Sequence, residues 1–160
     1  MELLTPDHVQ AVLDRHVPGT VIRFFDTTTA TSQQAADNIG CELAQILKSI
    51  CFIADGSPIV VLTSGVNRVD DKKIAALLGI SRKQIKIASP DDCVNFYGYA
   101  PGSVPPFGYR TPDVRAFIDE TLQQFDVIYA AGGAHNAIFP ITLAQVMAIT
   151  GAALADVKKD

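Results

Sequence analysis

The chain has 160 residues, of which 48% are hydrophobic and 19% are charged, and its formal net charge is −4. This length and composition are typical of one folded domain with a single core, and we predict one domain over residues 1–160. The mild negative charge argues against a protein that coats duplex DNA or RNA, and the lack of a long apolar run or a basic leader predicts a cytoplasmic chain without membrane contact.

Capping residues, turn residues and β-branched runs divide the chain into short elements. For the first helix, Thr5 is the N-cap residue, Pro6 occupies the first turn, and a Pro-Gly pair at 18–19 ends the helical spacing. A Thr-Ser-Gln-Gln sequence at 31–34 predicts a capping box for the second helix. In chain order we predict a helix from Thr5 to His16, a strand over 20–25, a helix from Thr31 to Gly40, and a buried hairpin of strands 46–54 and 59–62. A helix from Asp70 to Gly79, a strand over 85–87 and a short helix from Ser89 follow. The last predicted elements are strands over 117–119, 127–130 and 137–141 and a helix from Thr142 to Gly151.

The predicted strands come in hairpin-like pairs more often than in a strict alternation with helices. This order favours a mixed, mostly antiparallel sheet, or a barrel-like sheet, surrounded by helices over a doubly wound parallel sheet. Pro140 lies inside the run 137–141 and lacks an N–H, so it places this strand at an edge or close to a strand end. The sequence therefore predicts an α/β domain with a mixed sheet.

The most unusual segment is 98–108, which holds three Gly and three Pro within eleven residues. It cannot form a regular helix or a central strand, but it can form fixed turns with bare N–H groups that a ligand can approach closely. A second Gly-rich turn at 131–135 follows the apolar run 127–130 and ends in His135. Two loops rich in backbone donors predict a pocket that polarises a carbonyl group or stabilises an oxyanion.

Lys48 and His135 are the side chains with the clearest chemical potential, and each has two interpretations. Lys48 lies within an apolar run, where its ammonium group either extends to solvent from a strand edge or holds a carboxylate or phosphate in a cleft. His135 is either a loop side chain or a partner of the glycine amides. No nucleophile motif, nucleotide-binding loop or set of metal ligands accompanies them, and the three cysteines have no paired spacing. We therefore predict no cofactor and no metal site.

Several segments, taken in order, resemble the YbaK-like family, the free-standing relatives of the editing domain inserted in bacterial prolyl-tRNA synthetase. They are T-x-x-x-A-A-x-x-I-G at 31–40 with Q-I-L-K-S-I at 45–50, the glycine loop at 98–108, the apolar run with its Gly-Gly turn at 127–133, and I-x-x-x-T-x-x-x-V at 138–146. The resemblance extends over about residues 5–152. It implies the fold of that family and hydrolysis of the ester bond of a misacylated tRNA, with a small amino acid such as Ala or Cys on tRNA(Pro) or a related tRNA.

The same resemblance implies roles for individual residues. Lys48 would hold the terminal adenosine phosphate or the aminoacyl group, Gly102 would polarise the ester carbonyl, and His135 would position the substrate. Water would be the nucleophile, with the terminal ribose hydroxyl of the tRNA as a potential participant. The pocket wall would come from the run 21–25, from 28–31, and from the surroundings of Ser49 and Thr63. The implied substrate-binding residues are Gly98, Pro105, Phe107, Gly108, Gly132, Gly133, Ser49, Thr31 and Phe24.

The implied partner is the 3′ acceptor end of a mischarged tRNA, with a synthetase such as prolyl-tRNA synthetase and self-association as further options. Two other functions stay open at this point, namely an inactive module that binds tRNA or a synthetase, and a hydrolase of a small ester unrelated to tRNA. Lys48 and the two glycine loops favour the tRNA-directed enzyme. Arg110 and Arg115 are the only basic residues close to the loops, and this shortage keeps the small-ester hydrolase open. A Pro before Gly102, a doubled Pro at 105–106 and Ser49 depart from the family pattern and bear on substrate choice.

Overall fold

The computed structural model describes residues 2–160. Within these residues lie five α-helices and an eight-stranded mixed sheet, which confirms the predicted α/β class. The helices are α1 (Pro6–His16), α2 (Ser32–Ile39), α3 (Asp71–Leu78), α4 (Pro90–Asp92) and α5 (Leu143–Thr150). The strands are β1 (Arg23–Phe24), β2 (Ile46–Ala54), β3 (Ser57–Ser64), β4 (Ile85–Ile87), β5 (Arg115–Asp119), β6 (Ile128–Ala131), β7 (Ala137–Ile141) and β8 (Ala153–Ala155). None of the helices in this part of the chain combines the length and the apolar character needed to cross a membrane.

The β2–β3 hairpin is the centre of the sheet. Neighbouring strands follow the order β1-β7-β6-β2-β3-β5-β8, and β4 pairs with β2 beside this path. The pairs β2–β6, β3–β5 and β5–β8 are parallel, whereas β1–β7, β2–β3, β2–β4 and β6–β7 are antiparallel. The hairpin register sets Leu47 opposite Ser64 and Ala54 opposite Ser57. The order runs from β1 to β8 without closing, so the mixed sheet is open.

The predicted strand over 20–25 is shorter in the structure, where only Arg23–Phe24 pairs with a neighbour. The reason is that a side chain of α1 bonds the preceding backbone. The Gln10 amide donates to the Thr20 carbonyl at 2.8 Å, and its oxygen accepts from the Ile22 N–H at 3.0 Å. Buried backbone groups need partners, and here a glutamine supplies the partners that a strand would otherwise supply.

Pro140 lies where the sequence places it, near the end of strand pairing on one side of β7. The Ala137 carbonyl accepts from the Gly132 N–H, so the alternation of the ladder turns the Pro140 nitrogen towards the side of β1. Pairing with β1 ends at Arg23, opposite Ile138. The missing N–H of Pro140 therefore removes no hydrogen bond from the sheet.

The 98–108 loop is anchored to the core by aromatic rings. Phe107 is buried and packs against Phe139 of β7, with ring centroids 5.9 Å apart. The Tyr109 hydroxyl donates to the Pro105 carbonyl at 2.7 Å, which closes the end of the loop on itself. A segment without regular structure is thereby held in one position beside the sheet.

We expect Phe139→Ala to lower the free energy of unfolding by about 3–5 kcal/mol, because a fully buried ring is lost together with its contact to Phe107. The measurement is urea unfolding followed by circular dichroism. The matched control is Phe24→Ala on β1, where the ring is 61% exposed and the expected change is below about 0.5 kcal/mol. Equal losses in both variants would contradict the assignment of Phe139 to the core.

Candidate functional site

A pocket opens where β2 changes its pairing partner. One edge of β2 pairs with β3 along Leu47–Ala54, while the other edge pairs first with β6 at Ile46 and Leu47 and then with β4 from Phe52. Between these partners, residues 48–51 have no paired strand on that edge. A pocket of about 300 Å³ lies at this gap. The gap explains the pocket, because a continuous sheet would leave no opening at the middle of a central strand.

The backbone of β2 takes part in the pocket as well as its side chains. The Ile46 carbonyl accepts from the Gly65 N–H on the side of β3. Because N–H and C=O groups of an antiparallel strand alternate between its two edges, the backbone polar groups of Ser49 point towards the gap. The lining residues come from β2, from 29–35, from the glycine loop and from β6 and β7; they are Thr29, Ala30, Thr31, Ser32, Ala35, Ile46, Leu47, Lys48, Ser49, Ile50, Gly102, Val104, Ala131 and Ile138.

Lys48 lines the pocket with an unpaired ammonium group. The residue is half-buried, and within residues 2–160 no carboxylate lies within 4.0 Å of its Nζ. Burial lowers the pKa of Lys48 below its ordinary value, the charge of Arg68 lowers it further, and the charge of Asp119 opposes this shift. Lys48 thus lies in a cleft with no ion-pair partner among residues 2–160, and its predicted role of holding a carboxylate or phosphate stays a prediction.

Gly102 lines the pocket and occupies the third position of a tight turn. The Ser103 N–H donates to the Ala100 carbonyl at 3.0 Å, Pro101 is at the second position, and Gly102 has a φ of +85°. This is the pattern of a type II turn, whose third residue needs a positive φ and is therefore usually glycine. In the described part of the chain no acceptor takes the Gly102 N–H.

His135 does not line the pocket, but its side chain contacts the turn 100–103 through a hydrogen bond to the Pro101 carbonyl. Its Nε2 lies 3.1 Å from the Pro101 carbonyl oxygen, and because a carbonyl only accepts, Nε2 carries the hydrogen in this bond. The peptide between Pro101 and Gly102 is trans, so its N–H points away from the carbonyl and hence away from His135. The His135 backbone carbonyl also accepts from the Thr29 N–H at 2.5 Å, which joins the turn to the pocket wall.

Of the predicted site residues, the pocket brings together Lys48, Gly102, Ser49 and Thr31. Thr31 also caps α2, since its hydroxyl accepts from the Gln34 N–H at 3.1 Å. The Ser49 hydroxyl is buried beside the Tyr109 hydroxyl, and it makes no hydrogen bond of ordinary geometry among residues 2–160. Because this oxygen is enclosed, Ser49 contributes its backbone groups rather than its hydroxyl to the pocket.

Three predicted glycines lie against the N-terminal part of the chain rather than in the pocket. An added Cβ would be 2.6 Å from Leu4 at Gly98, 3.3 Å from Val12 at Gly108 and 3.1 Å from Val9 at Gly133. These glycines allow α1 and the segment before it to approach both loops closely. Their predicted binding roles receive no support from pocket geometry and stay predictions.

The remaining predicted residues also lie outside the pocket lining. Pro105 and Phe107 are buried in the loop core, and Gly132 packs beside Ile22. Phe24 is exposed on β1. Six lining residues were not predicted from the sequence, because a small or apolar side chain alone does not indicate a binding site. They are Ser32, Ala35, Ile46, Val104, Ala131 and Ile138.

Within residues 2–160, no three His, Cys, Asp or Glu side chains come close enough together to hold a metal ion. The chemical groups at the pocket are thus the Lys48 ammonium, the free Gly102 amide and the backbone polar groups of Ser49 that point towards the gap. Such a set can bind an anion or a polarised carbonyl oxygen.

Comparison with known proteins gives a consistent result. Residues 26–149 match the family model of the aminoacyl-tRNA editing domain. The uncharacterized protein YwhH of Bacillus subtilis is 30% identical over 119 residues, which cover 74% of this chain and 73% of YwhH. A proline–tRNA ligase of Limosilactobacillus fermentum is 36% identical over 98 residues, which cover 58% of this chain and 17% of the ligase. This chain therefore corresponds to one section of that much longer enzyme.

Solved structures share the whole fold. A crystal structure described as a candidate trans-editing enzyme for prolyl-tRNA synthetase matches with a TM-score of 0.89 and 34% identity, covering 97% of both chains. The hypothetical protein APE2540 matches with a TM-score of 0.86 at 23% identity, a similarity that concerns the fold alone.

Proposed function

The chain belongs to the aminoacyl-tRNA editing domain family, and we propose that it is a deacylase that hydrolyses the ester bond of a misacylated tRNA in trans. The proposed substrate is a small amino acid, such as Ala or Cys, on tRNA(Pro) or a related tRNA. The observation that carries this proposal is the pocket at the gap of β2, where the unpaired Lys48 ammonium and the free Gly102 amide lie in one cavity of about 300 Å³.

The pocket geometry supports a specific arrangement of the substrate. The aminoacyl group enters the gap, and Lys48 holds either the terminal adenosine phosphate or the aminoacyl group through its free donors. The Gly102 N–H donates to the ester carbonyl oxygen, and His135 keeps the peptide of that N–H in place. Water adds to the ester carbon, the amide stabilises the resulting oxyanion, and the proton that the water loses passes by way of the neighbouring ribose hydroxyl to the leaving ribose oxygen. Collapse of this intermediate releases the free amino acid and restores the ribose hydroxyl of the tRNA.

The lining of the pocket is compatible with a small apolar amino acid. Its walls carry Ala30, Ala35 and Ala131 beside Ile138, so the lining is largely apolar apart from Lys48 and the backbone groups. A synthetase separates small apolar side chains by only about 1–3 kcal/mol, so a second site that hydrolyses the wrong product is needed for accuracy. The net charge of −4 is compatible with contact limited to the 3′ end of the tRNA, with a synthetase such as prolyl-tRNA synthetase supplying further contacts.

The test is to incubate the purified protein with tRNA(Pro) charged with Ala, Cys or Pro and to follow the loss of each ester. We expect rapid loss of one mischarged species and survival of Pro-tRNA(Pro). Assays with and without prolyl-tRNA synthetase measure the contribution of that partner. If all three esters, and other misacylated tRNAs, decay at the spontaneous rate, the proposal is wrong. Hydrolysis of amino acid methyl esters alone would then favour the small-ester hydrolase, and tRNA binding without hydrolysis would favour the inactive module.

A further inference from the structure

A row of three side chains crosses the sheet beside the pocket. Lys48 of β2 lies directly opposite Thr63 of β3. The parallel pairing of β3 with β5 sets Leu62 beside Ile118, so Asp119 follows next to Thr63. The Thr63 hydroxyl donates to Asp119 Oδ2 at 2.9 Å. Because paired residues on neighbouring strands face the same side of a sheet, Lys48, Thr63 and Asp119 form one continuous row.

The carboxylate at the end of this row is fixed from several sides. Besides Thr63, Oδ2 accepts from the Ser64 N–H at 3.1 Å and from the Asn67 amide at 2.9 Å. Oδ1 accepts from the Thr121 N–H at 2.9 Å and from the Thr121 hydroxyl at 2.8 Å. Asp119 is only 1% exposed. Burial raises the pKa of Asp119, but the hydrogen bonds from Asn67, Thr121 and Ser64 outweigh it and bring the pKa below its ordinary value. The buried group is therefore an anion at neutral pH.

These hydrogen bonds also keep Asp119 away from Lys48. The two side chains form no ion pair within 4.0 Å, although they are separated by a single residue of the row. A direct ion pair would occupy the ammonium donors that a substrate needs. A fixed carboxylate one position away stabilises the positive charge and leaves those donors free. Lys48 needs such support, because it is half-buried and is repelled by Arg68.

Helix capping explains only part of this network. Asp119 is the N-cap residue of the short 3-10 turn Glu120–Gln124, and that role accounts for the bond from the Thr121 N–H. The capping role does not require the hydrogen bonds to Oδ2 from the Thr63 hydroxyl, the Ser64 N–H and the Asn67 amide. These bonds orient Oδ2 towards Thr63 and the row. We propose that Asp119, linked through Thr63, is a positioning residue that keeps Lys48 charged and unpaired for the substrate. The identity of that substrate rests on the proposed function, whereas the effect on Lys48 does not.

The test is an NMR titration of the Lys48 side chain in the full chain without tRNA, with the signal assigned through Lys48→Arg. We expect Asp119→Asn to lower the pKa of Lys48, because the opposite charge is removed. Thr63→Val keeps the shape of the residue and leaves the other four hydrogen bonds of Asp119, so it serves if Asp119→Asn does not fold. It is expected to lower the same pKa by less, and Thr63→Ser is expected to restore it. The control is Asp14→Asn, an exposed carboxylate on α1 bonded to Gln10, which is expected to leave the titration unchanged.

Deacylation supplies the second measurement. We expect kcat/KM at neutral pH to fall by about 10- to 100-fold in Asp119→Asn, with the loss of activity at high pH moved to lower pH. An unchanged Lys48 titration in both Asp119→Asn and Thr63→Val would overturn the inference, as would a gain of activity at neutral pH. Because the titration needs no substrate, the inference is tested even if no misacylated tRNA is hydrolysed. If the wild type deacylates the substrate and both variants keep its pH profile of activity, the inference about Asp119 is wrong while the proposed function stands.

Discussion

Lys48→Ala is expected to reduce kcat/KM for the mischarged tRNA by about 10²- to 10³-fold or more, to near the spontaneous rate. Lys48 is the cation that lines the pocket, and no carboxylate of residues 2–160 lies within 4.0 Å of its ammonium nitrogen. Its removal leaves the negative charge of the substrate without a partner in a half-buried site. The fold is expected to persist, because the side chain forms no hydrogen bond or ion pair that the sheet depends on. Deacylation kinetics and urea unfolding of the same preparation measure both effects.

The matched control for this prediction is Lys86→Ala. Lys86 lies on β4, pairs with Ile53 of the same central strand and is exposed outside the pocket. Its loss removes an equal charge from the protein, so it corrects for any general weakening of tRNA attraction. A Lys48→Ala enzyme as active as Lys86→Ala would remove the central residue of the proposed mechanism.

The pH dependence separates two roles for Lys48. Burial and Arg68 lower the pKa of Lys48, so its positive charge is lost at a lower pH than that of an ordinary lysine. If the charged form anchors the substrate, activity falls as the pH rises through this lowered pKa. If the neutral form acted as a base, activity would instead rise over the same range. We expect the fall, because the carboxylate of Asp119 favours the charged form.

Local chemistry made most elements predictable from the sequence. The Thr31 capping box is present, and Gly40, Gly79 and Gly151 end helices with the left-handed backbone that glycine tolerates. Each of these signals acts over a few residues, so it can be seen without the rest of the fold. The segment 20–25 shows the limit, because a distant glutamine on α1 bonds its backbone and shortens the strand.

The pocket itself depends on information that is not local. Lys48 and Gly102 were candidates from the apolar run and the glycine loop, but nothing in the sequence indicates that β2 changes its partner from β6 to β4. The gap between those partners is what opens the site. The sequence also does not distinguish the glycines at 98, 108 and 133 from Gly102. These three pack against residues on α1 or just before it, which lie far away in the chain.

Gly102→Ala is expected to lower kcat for deacylation by about 10- to 100-fold with a smaller change in KM. An added Cβ would lie 3.1 Å from the Ala30 carbonyl oxygen and 3.3 Å from the Ala30 Cβ, so the turn and the pocket wall must move apart. That movement displaces the Gly102 N–H, which we propose donates to the ester oxygen. Because this hydrogen bond strengthens as negative charge develops, its loss affects the transition state more than substrate binding. A larger residue such as Val at this position is expected to cost more.

Gly56→Ala distinguishes this effect from backbone strain. Gly56 lies in the turn between β2 and β3 with a φ of +81°, close to the +85° of Gly102, and an added Cβ there meets no atom within 4 Å. Both substitutions place alanine in the left-handed region, so both are expected to lower the free energy of unfolding by about 1 kcal/mol. Only the change at Gly102 is expected to slow deacylation. If both variants keep wild-type kcat, the carbonyl of the ester is polarised by another group, and the backbone polar groups of Ser49 that point into the gap are the next candidates.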